Sequence, residues 1–166
     1  IDFIVNVVLN TRKQIIYCAA GDSIQAHRDA CAYLNGIYRS PISAKADIVI
    51  VSQGGAPKDL NLYQTQKALD NAGHAVKDGG TVILVGSCFE GFGNQVFEEW
   101  MLKYTNPDDM IQALHAHFQL GAHKATAIAM LKKRADILFV SDMDSAIVEK
   151  TFLKPVHDLQ SAVDAC

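Results

Sequence analysis

Three side chains that could bind an anion lie close together in the segment QGGAPKDLNLYQTQKA, residues 53–68. The glycine pair and the proline predict a tight loop, and the residues after them predict a helix. Tyr63 and Lys67 are spaced i, i+4, and Gln64 and Lys67 are spaced i, i+3, so the three side chains share one helix face. A lysine beside a phenol and an amide suits a small anion such as a carboxylate.

The opposite face of this helix is apolar enough to pack on a core. The residues that share it are Leu62, Thr65, Leu69, Ala72, Gly73 and Val76. The polar face is therefore predicted to point away from the core. Two ordinary interpretations stay open, because polar residues on an outer helix face are often only solvated, and Gln64 could close a capping box with Asn61.

The loop before the helix follows ADIVIVSQGG, a β-branched run that predicts a strand buried on both faces. Open α/β sheets place ligands at the carboxyl ends of their strands, and a helix start adds unpaired N–H groups and partial positive charge. We expect Gly54 and Gly55 to adopt backbone conformations closed to other residues. Pro57 would stiffen the same loop, and Asp59 would cap the helix. These four residues are predicted to support the site.

The other segments predict a mixed α/β protein. FIVNVVLN and QIIYCAAG, separated by TRK, predict an antiparallel hairpin, and TVILVGSCF and ADILFVS predict two more buried strands. A helix is predicted in GDSIQAHRDACAYLNG, capped by Asp22 or Ser23 and ended by Gly36. The helix that carries Tyr63, Gln64 and Lys67 is predicted to end near Gly79 and Gly80. Four more helices are predicted in QVFEEWMLKY, NPDDMIQALHAHF, HKATAIAMLKKR and HDLQSAVDAC.

This alternation predicts a Rossmann-like layered α/β domain. Its sheet would be mostly parallel, with an antiparallel hairpin at the N-terminus and helices on both faces. We expect residues 1–166 to form a single domain, and because the chain opens in what resembles the middle of a strand, we expect it to belong to a longer polypeptide.

Composition excludes several functional classes. The 166 residues are 49% hydrophobic and 20% charged, with a net charge of −3, which is typical of a globular domain and gives no electrostatic reason to expect nucleic acid or a membrane surface. No apolar run is long enough to span a bilayer, and no signal peptide is predicted. Four cysteines without a C-x-x-C fit reduced thiols, so we expect a cytoplasmic protein.

Neither a metal site nor a nucleotide loop is predicted from the remaining polar residues. His115 and His117 would project about 200° apart on a helix, and no carboxylate or thiol at ligand spacing joins them or His123. The glycine loops GDSIQAH and EGFGN lack the spacing that cradles a dinucleotide or a triphosphate.

The segment GGAPKDLNLYQTQKAL resembles GG-x-P-x-D-x-N-x-Y-Q-x-x-K-A-L of the nickel-dependent lactate racemase family. FIVNVVLN, AAGDSIQAHRDAC, KDGGTVILVGSCFEG and LGAHKA are also similar to that family, so the likeness covers most of the chain. It implies the C-terminal domain of a two-domain racemase or epimerase acting on a 2-hydroxy acid such as lactate.

The resemblance also implies a division of labour. The cofactor would be a nickel pincer nucleotide (nickel with a pyridinium-3,5-bisthiocarboxylic acid mononucleotide), bound mainly by the N-terminal catalytic domain of the same polypeptide. That cofactor would accept a hydride from the substrate, and the acid/base histidines would also lie on the N-terminal domain. No catalytic residue and no metal ligand is then expected on this chain, which would be inactive alone. Closing over the cofactor, it would engage the substrate through Lys67 and orient it through Tyr63 and Gln64.

Two other functions fit the same sequence. A non-catalytic Rossmann-like module that binds a small carboxylate would do so without any partner domain. A domain that serves only in subunit contacts would have an exposed apolar patch and would leave Tyr63, Gln64 and Lys67 scattered in solvent.

Overall fold

The structure, a computed structural model, describes all residues 1–166, which form two compact units, Ile1–Ser43 and Ala44–Cys166. The first unit contains strand β1 (Ile4–Leu9), strand β2 (Ile15–Gly21) and helix α1 (Ser23–Tyr38). The second contains strands β3 (Ala46–Ser52), β4 (Val76–Val85), β5 (Asp136–Val140) and β6 (Lys154–Pro155), and helices α2 (Leu62–Ala75), α3 (Gln95–Lys103), α4 (Pro107–Ala116), α5 (Ala122–Lys132), α6 (Ser145–Val148) and α7 (Leu159–Asp164). The prediction of a single domain stays a prediction.

The first unit is a hairpin covered by a helix. β1 and β2 pair antiparallel, as predicted, and α1 packs on them around a small core of Val8, Ala19, Ala26 and Ala30. Asp22 caps α1 by accepting the N–H groups of residues 24 and 25, which confirms the predicted start. The predicted stop at Gly36 is wrong, because α1 continues to Tyr38 and the chain becomes extended only at residue 39, just before Ser40-Pro41.

The second unit is built on a parallel sheet with the strand order β3-β4-β5-β6. Alternate side chains of the central strands point to opposite faces. Val82 and Phe139 face the main core, to which α2, α3, α4 and α5 all contribute. Ile83 and Leu138 face the other way, towards Ala162 of α7. Helices therefore cover both faces, and the predicted α/β architecture with a mostly parallel sheet and an N-terminal hairpin is confirmed.

Two predictions for this unit are wrong, the burial of β3 on both faces and the end of α2. β3 is an edge strand with one open face, so Ile48 and Ile50 are 40% and 52% exposed instead of buried. The helix predicted to reach Gly79 and Gly80 ends at Ala75, because Val76 already has extended backbone angles and begins β4. The short elements α6 and β6 were not predicted. None of the helices has the length and apolarity needed to cross a membrane.

Candidate functional site

The loop between β3 and α2 is tied to the end of β4. Gly54 and Gly55 have φ angles of +94° and +74°, a region that favours glycine, and Pro57 follows a cis peptide bond. Asp59 is buried, with 7% of its surface exposed, and its carboxylate accepts the backbone N–H of Ser87 at 3.1 Å. The prediction that Asp59 caps α2 is therefore wrong, and the residue instead joins the loop to the neighbouring strand.

Asn61 is the residue that caps α2. Its side-chain oxygen accepts the backbone N–H of Gln64 at 3.2 Å, and its side-chain amide donates to Glu90 at 3.0 Å. The capping-box alternative does not hold, because the Gln64 side chain turns away from the cap and bonds to Lys67. The cap thus leaves the Gln64 side chain free to take part in the polar face of the helix.

The other N–H groups in the first turn of α2 are occupied by the glycine loop EGFGN. The N–H of Leu62 donates to the carbonyl of Gly91 at 2.9 Å, and that of Tyr63 donates to the carbonyl of Phe92 at 3.1 Å. The expectation of unpaired N–H groups at this helix start is wrong, because EGFGN folds over it. Positive charge for an anion must come from side chains.

Lys67 and Gln64 contact each other directly. The ammonium of Lys67 donates to Oε1 of Gln64 at 2.6 Å. Lys67 is exposed and forms no ion pair with a carboxylate. One of its three N–H donors is used by Gln64, which leaves two for a ligand.

Tyr63 is half-buried and held against the core. The edge of its ring meets Phe97 with centroids 5.6 Å apart and an interplanar angle of 83°, a favourable arrangement for an aromatic pair. Its hydroxyl has no hydrogen-bond partner within the chain. The ring is therefore fixed while the polar end is available.

Lys124, near the start of α5, completes the cluster. Its ammonium lies 4.0 Å from the centroid of the Tyr63 ring and donates to the carbonyl oxygen of Tyr63 at 3.0 Å. Partial burial lowers the pKa of Lys124, and the charge of Lys67 lowers it further, with a smaller opposing effect from Asp70. We call Tyr63, Gln64, Lys67 and Lys124 the lysine cluster.

The structure thus brings the three predicted side chains into one cluster and adds a fourth. Gln64 and Lys67 are in contact, and Tyr63, one helical turn before Lys67 on the same face of α2, contacts Lys124. Sequence reasoning missed Lys124 because it lies far along the chain and meets α2 only through the packing of α5. The one available signal was LGAHKA, a segment that is similar to the family but in which no residue was predicted to have a role.

Residues 42–166 match the family model of the lactate racemase C-terminal domain. The chain belongs to that family. It is 31% identical to the lactate racemase of Thermoanaerobacterium thermosaccharolyticum, over 97% of this chain and 39% of the relative. It is 30% identical to the lactate racemase of Lactiplantibacillus plantarum, over 98% of this chain and 39% of the relative. The chain therefore spans about two-fifths of the length of the curated relatives it matches.

Solved structures agree with the family assignment. The lactate racemase apoprotein from T. thermosaccharolyticum superposes with a TM-score of 0.84 at 30% identity, over 99% of this chain and 40% of that chain. A Thermotoga maritima protein superposes with a TM-score of 0.64 at 15% identity, over 93% of this chain and 42% of that chain, and shows the fold alone. The predicted resemblance to the lactate racemase family is confirmed.

In this racemase C-terminal domain an open groove of about 490 Å³ runs between α2 and α5. Asp70 and Ala127 are among the residues that line it. Lys67 lies three residues before Asp70 on α2, and Lys124 lies three residues before Ala127 on α5. The lysine cluster therefore stands at one end of the groove.

A second hollow, of about 330 Å³, lies at the carboxyl ends of the parallel strands. Asp59 and Asp142 are both in its wall, and Asp142 accepts the hydroxyl of Ser87 at 2.5 Å. Two carboxylates repel an anionic ligand, so this hollow does not suit a hydroxy acid. Within this domain, the lysine cluster is the better place for an anion.

The cluster does not fit a nickel site. Nickel is held by imidazole, thiolate or carboxylate ligands, whereas the lysine cluster presents two ammonium groups, an amide and a phenol. No three His, Cys, Asp or Glu side chains of the chain are placed to hold a metal ion, His115, His117 and His123 included. The donors of this racemase domain fit the oxygens of an anion.

Beneath the cluster, Cys88 is expected to be unreactive. Its thiol lies 3.2 Å from the hydroxyl of Thr65, and burial raises its pKa to about 11. At pH 8 only about one thiol in a thousand would then be a thiolate, the reactive form. Treated with iodoacetamide at pH 8, the native protein should be labelled at the exposed Cys166 and not at Cys88, which reacts after denaturation. Peptide mass spectrometry measures both sites, and equal labelling rates in the native protein would contradict this prediction.

Proposed function

We propose that this chain forms the substrate-positioning part of a nickel-dependent racemase of 2-hydroxy acids and closes over a cofactor held by the rest of the polypeptide. The observation that carries the proposal is the Lys67–Gln64 contact of 2.6 Å, in which the lysine has no carboxylate partner. An ammonium without a counterion, beside an amide, suits the carboxylate of a hydroxy acid.

Each member of the predicted trio has a separate task in this proposal. Lys67 binds the substrate carboxylate through its two remaining N–H donors. The side-chain oxygen of Gln64 accepts a hydrogen bond from Lys67. The NH₂ group of Gln64 is therefore free to donate to the same carboxylate or to the hydroxyl of the substrate. Tyr63 offers its unpartnered hydroxyl and, held by Phe97, forms a rigid wall beside the ligand.

The pincer nucleotide, when bound, would supply the acceptor for the hydride of the α-carbon. The chain's own residues contribute placement, because a reacting carbon must be held within about 3 to 3.5 Å of its acceptor for efficient transfer. Lys67 and Gln64 fix the carboxylate end of the substrate and thereby the position of the neighbouring α-carbon. The proton of the substrate hydroxyl is handled by groups outside this chain.

Domain closure explains why such residues would lie on an exposed helix face. In water an exposed charge pair contributes about 1 kcal/mol or less, so Lys67 alone binds a carboxylate weakly. When another domain covers the cluster and displaces water, the same charges interact more strongly, and the reacting centre is shielded. The proposed partners are thus the N-terminal catalytic domain of the same polypeptide and a small 2-hydroxy acid. The four free cysteines support the proposal of a reducing, cytoplasmic location.

The test compares the full-length protein with residues 1–166 alone. Both are incubated with L-lactate and with other 2-hydroxy acids, and the enantiomers are separated by chiral chromatography. We expect the full-length, cofactor-loaded protein to racemise at least one of these acids and residues 1–166 to be inactive. No racemisation of any 2-hydroxy acid by the loaded protein would refute the proposal, and tight lactate binding by residues 1–166 alone would favour the non-catalytic module instead.

A further inference from the structure

Lys124 is held in place by contacts that leave its charge uncompensated. Its ammonium lies over the ring of Tyr63 and donates to the carbonyl oxygen of the same residue, at 4.0 Å and 3.0 Å. A ring face and a carbonyl dipole both orient a cation, but neither carries a net negative charge. Tyr63 is itself fixed against Phe97, so the position of the Lys124 ammonium is set by the core.

Lys67 and Lys124 are two positive charges placed together without a counterion. Lys124 contacts Tyr63, and Lys67 lies one helical turn after Tyr63 on the same face of α2, so both ammonium groups are on this side of the helix. Burial lowers the pKa of Lys124, and the charge of Lys67 lowers it further. Asp70 is the acidic group that opposes this effect, yet its carboxylate accepts from the side chain of Gln66 at 2.9 Å and forms no ion pair with either lysine. Two like charges on one side of a helix cost free energy that a negatively charged ligand would recover.

We propose that Lys124 is a second ligand-binding cation, and that with Lys67 it selects a ligand carrying two negative charges over one carrying a single charge. The inference rests on the proposed function and deepens it. Two adjacent negative groups could come from a 2-hydroxy acid with a second carboxylate, or from the phosphate of a nucleotide cofactor. In either case Lys67 binds one charge and Lys124 the other, and Tyr63 acts as a positioning residue for Lys124.

A lysine elsewhere in the chain provides the matched control. Lys103 also lies over a tyrosine ring, 5.1 Å from the centroid of Tyr104, on helix α3. Lys103→Met therefore removes a charge and a cation–ring contact of the same kind. Lys124→Met removes the proposed binding charge with little change in side-chain length, and Lys124→Arg restores a charge that can also stack on the ring.

The experiment is calorimetric titration of the full-length apoprotein with lactate, malate and inorganic phosphate. For the wild type we expect malate or phosphate to bind more tightly than lactate. Lys124→Met should weaken binding of that dianion about tenfold or more and lactate binding less than about threefold, since a charge-assisted contact contributes more than 1.4 kcal/mol. Lys124→Arg and Lys103→Met should stay within about threefold of the wild type, the range of a weak surface contact. A loss confined to malate identifies a second carboxylate of the substrate, and a loss confined to phosphate identifies the cofactor.

Three results would overturn the inference. They are dianions that bind the wild type no more tightly than lactate, dianion binding unchanged in Lys124→Met, or an equal loss for lactate and dianions in that variant. Thermal unfolding of each variant shows whether it is folded, and if Lys124→Met is not, Lys124→Gln takes its place. Failure here is distinct from failure of the proposed function, because racemisation that depends on Lys67 can persist when Lys124 makes no contribution to dianion binding.

Discussion

Racemisation by the full-length protein is expected to fall by at least about 100-fold when Lys67 is replaced by alanine, with cofactor loading unchanged. A misplaced reacting carbon costs about this factor even when the reactive groups are intact. Lys67 is exposed and contacts Gln64 through its ammonium, so the substitution removes a binding charge and leaves the core untouched. The loss should exceed that of any other single substitution in the lysine cluster.

The kinetic constants separate the possible causes. Initial rates at several substrate concentrations give kcat and KM, and metal analysis together with the absorbance of the cofactor gives its occupancy. If Lys67 only binds substrate, KM rises while kcat is kept. If Lys67 also sets the position of the α-carbon, kcat falls as well, which is the result we expect.

Two further variants serve as controls for Lys67→Ala. Lys103→Ala removes another lysine of the same unit and should leave the rate within about twofold, since surface substitutions away from a site are close to neutral. Lys67→Arg retains the charge in a different shape and should recover part of the activity. Near-wild-type turnover by Lys67→Ala would show that this lysine does not position the substrate.

The helix face that carries the lysine cluster could be predicted because it depends only on local periodicity. A helix turns by about 100° per residue whatever surrounds it, so the spacing of Tyr63, Gln64 and Lys67 was enough to place them together. The core face was predicted for the same reason, and Leu62, Leu69 and the other residues assigned to it within α2 are buried.

Features that depend on distant parts of the chain were not accessible in this way. Lys124 joins the cluster only because α5 packs beside α2, which no local pattern encodes. β3 has the same β-branched composition as a central strand, yet its place at the sheet edge exposes Ile50. The end of α2 at Ala75 was not predicted because Gly79 and Gly80, which suggested a helix end, lie inside strand β4. Gly80 is needed there for packing, since it lies too close to the backbone of Asp47 to carry a side chain.

The glycine loop EGFGN shows the same limitation at the site itself. Its sequence excluded a phosphate-binding role, but nothing in it indicated which surface the loop would cover. In the structure it bonds to the first turn of α2, and Gly93 approaches the capping residue Asn61. The loop thus determines how the helix with the lysine cluster begins.

Replacing Gly93 with alanine is therefore expected to destabilise the protein by about 2 to 3 kcal/mol. A Cβ atom added at Gly93 would lie 2.5 Å from Cβ and from Oδ1 of Asn61, and the residue has a φ angle of +75°. The left-handed backbone contributes about 1 kcal/mol of this loss, and displacement of the cap contributes about 1 to 2 kcal/mol. Chemical unfolding in urea, monitored by circular dichroism, measures the change in the free energy of unfolding.

Gly91 in the same loop provides the matched control. Its φ angle is +71°, but an added Cβ would meet nothing within 4 Å. Gly91→Ala should therefore lower the free energy of unfolding only by the cost of placing alanine in a left-handed backbone conformation, about 1 kcal/mol. Equal losses for the two variants would show that the close approach to Asn61 does not contribute to stability.

A double variant isolates the contact between Gly93 and the helix cap. Asn61→Gly removes the atoms that an alanine at position 93 would meet, and glycine is itself tolerated at a helix N-cap at a cost of a few tenths of a kcal/mol. In that background Gly93→Ala should destabilise the protein no more than Gly91→Ala does, so the two substitutions should be coupled by about 1 to 2 kcal/mol. Because the same cap holds the first turn of α2, Gly93→Ala should also lower racemisation by the full-length protein, whereas Gly91→Ala should leave it nearly unchanged.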